Sequence, residues 1–595
     1  MQDVKSTTTE SQTVAHPQIE KDTNSNSIRN ALLCTFVVAV CVLVIYPVAD
    51  IPIGDDFSYS RTALDFARTG HFLYNGWGAS IIGWLVLWGT LFIRFFGFSF
   101  TGLRFSMLPI AMATVYLLHQ VLRRFEINQA NAVLGTLTIA LCPLFLLTTT
   151  SFMTDVPGML VIVVCIYMCQ GAVTAQSDRA SLWWLCSAAF VNVAGGTVRQ
   201  IAWLGALVMV PSTAWLLRKR SGMKTAGVLV WLAGLAGIVA CLHWANKQPY
   251  FTPETFPIGL VRRPNVRHLL EQLMKALLCL LLVISPITAA WLPAVRRLNS
   301  NAKLRIAMVM LMLVLLSILL YRKGTLDYWV EPWLIPVLDS LESSEIAEVS
   351  LWVRVAISFL LVIAPALILV EQIISRPQIE FDRSSKNPSS WKELGWILGP
   401  FTLSYVVFLV PRGTFGPIQD RYLLGLMPAA VIVLLKFRQE HSTERLSVPS
   451  LVTLAIVSIF AIGSIHDAFA GCRALVTLVR VVQDSGVPRT SIEAGLAGDG
   501  WAQDGWTQLE VDGYIHDPRV QTPVGVKPNP HDLKLPKECM WYFTNFTPAI
   551  TPRYFIVTEP KSCFAPTEFA ATHYTTWFPP FRRAFYVQQL SDGLK

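Results

Sequence analysis

Apolar residues run along this chain in long unbroken blocks rather than in the alternation of a half-buried strand. Fourteen such blocks stand out, at 31–48, 79–97, 104–122, 131–149, 155–173, 182–198, 200–217, 225–243, 272–293, 306–321, 351–370, 394–410, 421–436 and 449–466. Each approaches the roughly 20 residues that a helix needs to cross the hydrocarbon core of a bilayer. The pattern predicts an all-α polytopic membrane protein. After residue 466 it changes: Gly, Asp, Pro and Trp gather in turns, and short strand-like runs follow, such as Tyr554 to Val557 and Phe585 to Gln588.

The basic clusters orient the blocks, because cytoplasmic loops collect Lys and Arg. Arg123 and Arg124, Arg218 to Arg220, Arg296 and Arg297, Arg376 to Lys386, and Lys436 to Arg445 all fall inside only if one early block does not cross. The block at 79–97 is the candidate. Gly83, Gly89 and Gly97 break it, Arg94 sits near its end, and Trp77, Trp84 and Trp88 suit an interface. The prediction is about 13 transmembrane helices plus juxtamembrane helices, with the N-terminus inside and the C-terminus outside. Three regions follow: a disordered cytoplasmic tail at 1–29, a transmembrane domain at 30–466 with a first external loop at 49–103, and a small α/β extracytoplasmic domain at 467–595.

Composition agrees. Of 595 residues, 53% are hydrophobic and 15% charged, against about 25% charged in an ordinary soluble domain. The net charge of +9 is met by the cytoplasmic loops and needs no nucleic acid. Most of the 11 cysteines lie in apolar blocks, where Cys behaves as a small hydrophobe. Cys472, Cys539 and Cys563 fall in the C-terminal region. Cys539 with Cys563 is the expected disulfide there; pairing with Cys472, or three free thiols, stays open.

The blocks hold almost no ionisable residue at their centres, which counts against an ion-coupled transporter. The acids collect on the predicted outer side instead. Asp55 and Asp56 follow the first block in Ile53-Gly54-Asp55-Asp56-Phe57-Ser58-Tyr59, and Asp155 opens the fifth in Thr154-Asp155-Val156-Pro157. A carboxylate there can take a proton from a hydroxyl, and a second can orient the acceptor or tune the first. The plainer alternatives are a solvated loop for the pair and a helix cap for Asp155, with Pro157 in the first turn. Arg199, Arg262, Arg263, Arg267, Arg322, Lys323, Arg412 and Arg421 also lie outside, against the positive-inside trend. Guanidinium forks suit a phosphate, whereas the plain alternative is snorkelling into lipid headgroups.

These motifs resemble the GT-C superfamily of membrane glycosyltransferases, and within it the branch of protein O-mannosyltransferases and aminoarabinose (lipid A) transferases. The branch's Asp-Glu-x-x-Tyr motif looks like Asp55-Asp56-Phe57-Ser58-Tyr59, its Asp-x-Pro motif like Asp155-Val156-Pro157, its Arg-x-x-Ser/Pro entry like Arg104 to Pro109, and its Arg-Tyr-Leu-Leu run like Arg421 to Leu424. The chain departs from the branch at Asp56, where Glu is frequent, and at Arg199-Gln200, where Lys-Gly is common. The resemblance covers 31–220 well, 394–437 in part, and barely reaches 467–595.

The resemblance implies a GT-C fold and an inverting transfer of a sugar from a polyprenyl-phosphate donor to a glycan, lipid or protein hydroxyl. It casts Asp55 as general base, with Asp56 and Asp155 as the other catalytic acids and Tyr59 positioning donor or acceptor. Arg199, Arg421, Arg262 and Arg263 are the candidates for the donor phosphate. It leaves a divalent cation open, since some members use one and others do not. The expected location is an integral protein of the bacterial inner membrane. Two other classes stay open: a flippase or transporter of lipid-linked glycans, and a glycan ligase or polymerase.

Overall fold

The computed structural model describes residues 16–75, 77–78, 80–251, 253, 265–323, 352, 355–356, 358–374, 388–414, 418–441, 446–507 and 552–590. Each apolar block carries helix. Eight helices among the described residues are long and apolar enough to cross a membrane: Ser25–Ile45, Phe100–Arg124, Asp155–Thr174, Met223–Ala245, Val266–Arg297, Ser300–Arg322, Trp391–Arg412 and Val448–Asp484. The block at 131–149 becomes two helices, Gln129–Ala140 and Pro143–Thr149, bent by 62°. Pro143 lacks the N–H that would continue the first helix, so it opens a new one behind Cys142. The other blocks form shorter elements. They include Asp178–Gly195, the apolar run Gln200–Leu216, Ser358–Ile374 and Met427–His441. Of the 13 crossings counted from the blocks, eight are single long helices among the described residues, or nine with the bent pair.

The block at 79–97 is a helix of only 14 residues, Gly83–Phe96. At about 1.5 Å per residue it reaches about 21 Å, short of the roughly 30 Å hydrocarbon core. The first helix, His16–Ile45, extends back into the segment expected to be a disordered tail. One continuous apolar core runs from Cys34 to Phe469. The helix Ser300–Arg322 turns Leu304, Met308, Leu311 and Leu315 outward instead, an apolar face of the kind that meets lipid.

The two ends of the bundle differ. At one end the basic loops meet: Lys436 Nζ donates to the Phe125 carbonyl (3.3 Å), Arg438 to Asn131 Oδ1 (2.7 Å) and Gln439 to the Glu126 carbonyl (2.8 Å). The clusters around Arg123 and Lys436 thus share one side, as the orientation argument requires. The first loop, with helices Asp56–Thr69 and Gly83–Phe96, lies at the other end.

The last crossing helix runs on to Asp484, 37 residues in all. A five-stranded sheet then forms from β1 (Ile492–Glu493), β2 (Tyr554–Val557), β3 (Phe564–Pro566), β4 (Thr572–Thr575) and β5 (Arg582–Leu590). Its order is β1-β2-β5-β3, with β4 also on β5; only β1 and β2 are parallel. Cys563 is disulfide-bonded and Cys472 carries a thiol outside any disulfide, which removes the pairing with Cys472; Cys539 lies outside the described residues.

Helices Gln129–Ala140 and Met427–His441 approach closely at Gly135. A Cβ there would overlap Leu435 and stand 2.8 Å from Val431 Cγ1. Gly135→Val should destabilise the bundle by about 1–3 kcal/mol. The measurement is thermal unfolding in detergent, where an unchanged midpoint would show that the contact is loose.

Candidate functional site

The turn that carries Asp55 is set locally. Gly54 takes a positive φ of 57°, and Asp55 follows at the N-cap of helix Asp56–Thr69. An N-cap Asp ordinarily bonds its own helix, but Asp55 makes no such bond. Its carboxylate turns to distant partners. Oδ2 accepts from Arg421 Nη2 at 2.6 Å, and Oδ1 accepts from Trp77 Nε1 at 2.8 Å.

Asp155 opens its helix without capping it. Its Oδ1 is ion-paired with Arg199, and its buried Oδ2 has no hydrogen-bond partner in the structure. Arg199 and Arg421 converge on Tyr422, with their guanidinium carbons 5.0 Å and 5.9 Å from its ring centroid, and Arg412 lies 4.6 Å from the same centroid. Tyr405 braces this group by donating to the Tyr422 carbonyl at 2.7 Å. Four of the residues singled out in the sequence are therefore brought together, from the first loop, two successive helix ends and a segment 366 residues away. Tyr59 is buried beside them, and its hydroxyl is pushed up by burial and by the charges of Asp55 and Asp155. Arg262 and Arg263 lie outside the described residues.

Asp56 turns the other way. Its side chain and that of Arg104 are both fully buried, 3.9 Å apart, and its Oδ1 accepts from the Ile53 N–H at 2.6 Å. Arg104 also binds the carbonyls of Ala49 and Ile51. Asp56, expected as a catalytic acid, ties the first loop to helix Phe100–Arg124, and its carboxylate is fully buried.

The charges respond to these settings. Burial pushes Asp55 up, but the Arg421 guanidinium, the Trp77 bond and Arg199 outweigh it and hold the carboxyl below its ordinary value. Burial raises Asp56 to about 7 against the pull of Arg104 and of the Ile53 and Phe152 N–H groups.

A further shell holds the first loop from behind. Trp501, on helix Leu496–Thr507, stacks on Phe98 at 5.1 Å and lies 3.9 Å from the Arg61 guanidinium. A Cβ on Gly500 would stand 2.7 Å from the Phe57 ring, and Phe57 packs on Trp77 at 5.3 Å. Contacts thus run from the C-terminal region through Phe57 and Trp77 to Asp55. Sequence reasoning missed Trp77, Tyr405 and Tyr422 as site residues. Tyr422 was within reach, since it lies in the quoted Arg421 run; Trp77 reads equally well as an interface aromatic, and Tyr405 sits in an ordinary apolar block.

The fold and site define a polytopic helical membrane protein with a buried ion-pair cluster at one end of its bundle. No protein-family model matches the chain, and no curated protein matches its sequence. Among solved structures it is similar to ArnT from Cupriavidus metallidurans in the apo state, at 13% identity and TM-score 0.39, over 93% of this chain and 97% of that one. The same protein bound to undecaprenyl phosphate aligns at 14% identity and TM-score 0.36, over 76% and 80%. The S. cerevisiae protein O-mannosyltransferase Pmt1-Pmt2 complex bound to the sugar donor aligns at 15% identity and TM-score 0.29, over 38% of this chain and about a third of the other, 34%. These proteins are GT-C superfamily glycosyltransferases, the group that the motifs resemble.

The Asp56 shift carries a pH dependence. A carboxyl near 7 in the folded chain, against about 3.9 unfolded, makes the folded state bind the extra proton, so this group's contribution to stability falls as pH rises from about 4 to 7. Asp56→Asn keeps an acceptor for Ile53 and removes the titration. The unfolding midpoint of the variant relative to wild type should rise between pH 5 and pH 8; a pH-independent difference would contradict the assignment.

Proposed function

We propose that this chain is an inverting glycosyltransferase that moves a sugar from a polyprenyl-phosphate donor to a hydroxyl acceptor at the outer face of the membrane. The observation that carries the proposal is the joining of Asp55, Asp155, Arg199 and Arg421 around Tyr422 at one end of an otherwise apolar bundle. A lipid-borne phosphate reaches that depth through the membrane, and two or three guanidinium forks match its oxygens.

The division of labour follows exposure. The Asp55 side chain is 24% exposed and that of Asp155 only 1%. Asp55 is the base that reaches an acceptor. Asp155, buried, holds the Arg199 guanidinium in place for the donor phosphate. In the transfer, Asp55 takes the hydroxyl proton, and the hydroxyl oxygen bonds to the anomeric carbon from the face opposite the phosphate. The bond from that carbon to the phosphate oxygen breaks, and its electron pair leaves with the polyprenyl phosphate. Arg421 and Arg199 stabilise the charge that develops there. A phosphate that draws Arg421 away also removes the main influence that depresses Asp55, so donor binding makes the base stronger.

A divalent cation does not fit this donor set. Asp55 and Asp155 each already face a guanidinium, and among the described residues no group of three His, Cys, Asp or Glu side chains gathers.

Transfer from a polyprenyl-phosphate sugar by the purified protein tests the roles. Asp55→Asn should lower transfer by about 10² to 10⁴ while donor binding survives. Asp155→Asn should lower it less, and Arg421→Ala should weaken donor binding. Wild-type transfer in both Asn variants would end these residue assignments, whereas donor binding without any transfer by the wild-type protein would remove the enzyme reading and favour the flippase.

Orientation has its own test. An impermeant thiol reagent should label His71→Cys in intact cells and Lys219→Cys only after permeabilisation; both positions are exposed. The reverse pattern would place the site on the cytoplasmic face.

A further inference from the structure

The β4–β5 hairpin ends in Thr576-Trp577-Phe578-Pro579-Pro580-Phe581, followed by Arg582, and this tip docks on the last crossing helix. The docking is specific. Buried Asp467 accepts from the Trp577 N–H at 2.7 Å and from the Phe578 N–H at 3.0 Å, and it also pairs with His466 at 3.0 Å. The His466 ring stacks on Trp577 at 3.9 Å and 17°. Phe578 lies over Phe460 at 6.1 Å, and a Cβ on Gly463 would come within 2.5 Å of its ring. The tip turn is held internally by the Thr576 N–H bond to the Phe581 carbonyl at 3.0 Å.

The helix fixes the height of this tip. Nineteen residues separate Val448, at the start of the helix, from Asp467. At about 1.5 Å each they span about 29 Å, close to the roughly 30 Å hydrocarbon core. Val448, Leu451, Val452, Ile456 and Ile459 are exposed along that stretch, as a lipid-facing stripe must be. The stripe continues through Phe460 into Phe578. Beyond it, Trp577 is 49% exposed and Phe581 59% exposed, with Arg582 exposed next to them. Aromatic rings with a neighbouring cation, at the boundary between hydrocarbon and water, match the composition that the headgroup layer favours.

We propose that the hairpin tip at 576–582 is an interfacial anchor that enters the lipid headgroup layer at the site end of the bundle, with Asp467 as the clasp that sets its depth. Its partner is the bilayer surface itself, with Trp577 and Phe581 at the acyl boundary and Arg582 among the phosphates. The sheet domain is then tethered at two places, by the helix that leads into it and by this tip. The proposal does not depend on the glycosyl-transfer reading.

The test uses the full chain in phosphatidylcholine–phosphatidylglycerol bilayers, with a nitroxide at Phe581→Cys and another at Glu568→Cys, an exposed position away from the tip. Signal from native cysteines is subtracted with labelled wild type. The label at 581 should collide several-fold less with a water-soluble nickel chelate, and more with oxygen, than the label at 568. Equal chelate collision at both positions overturns the proposal. Fluorescence gives a second reading that needs no label: lipids brominated near the headgroup should quench wild type more than Trp577→Phe. Equal quenching overturns the placement of Trp577.

Discussion

Hydrocarbon does not tolerate unpaired charge, and the rest of this structure follows from that exclusion. The crossing helices carry their charged groups to their ends, so residues far apart in sequence meet in two shallow layers. At one end the loops around Arg123 and Lys436 share hydrogen bonds. At the other, Asp55 meets Arg421 and Asp155 meets Arg199. These ion pairs are worth much more there than on a water-exposed surface, because the surrounding protein excludes most of the solvent. The same low polarity makes them responsive: a second anion brought by a lipid competes directly with the carboxylates for the guanidiniums.

Asp55 and Asp56 show how neighbouring acids acquire different roles. One peptide bond separates them, yet Asp55 is partly open and held ionised by an arginine, while Asp56 is sealed against Arg104 and carries a carboxyl raised to about 7. Gly54 and the start of the helix turn the two side chains to opposite sides of the loop. Asp56 and Arg104 hold the loop so that Asp55 stands in one place, and Trp501 with Gly500 presses it from behind through Phe57. The C-terminal region is thereby linked mechanically to the site.

Much of this was legible in the sequence, because membrane burial writes itself in long apolar blocks and in the placement of Lys and Arg. The short helix Gly83–Phe96 was marked by its three glycines and Arg94, and the shared side of Asp55, Asp155, Arg199 and Arg421 by parity. The breaks inside blocks were less legible: Pro143 and Pro211 restart helices within runs that hydropathy reads as continuous. Pair identities were not legible, since nothing in composition assigns Arg421 to Asp55 rather than to Asp155. The last helix turns from lipid-facing to domain-facing without a break, and the residue that marks the change, Asp467, bonds a hairpin more than a hundred positions away, a pairing that the sequence does not name.

The most direct measurement is an experimental structure of the chain with a polyprenyl monophosphate bound. The phosphate should lie between Arg199 and Arg421 at the Tyr422 ring, with Arg421 drawn away from Asp55 and the carboxylate of Asp55 facing the open side. A phosphate bound elsewhere, with both ion pairs intact, would contradict the donor-site role of the two arginines.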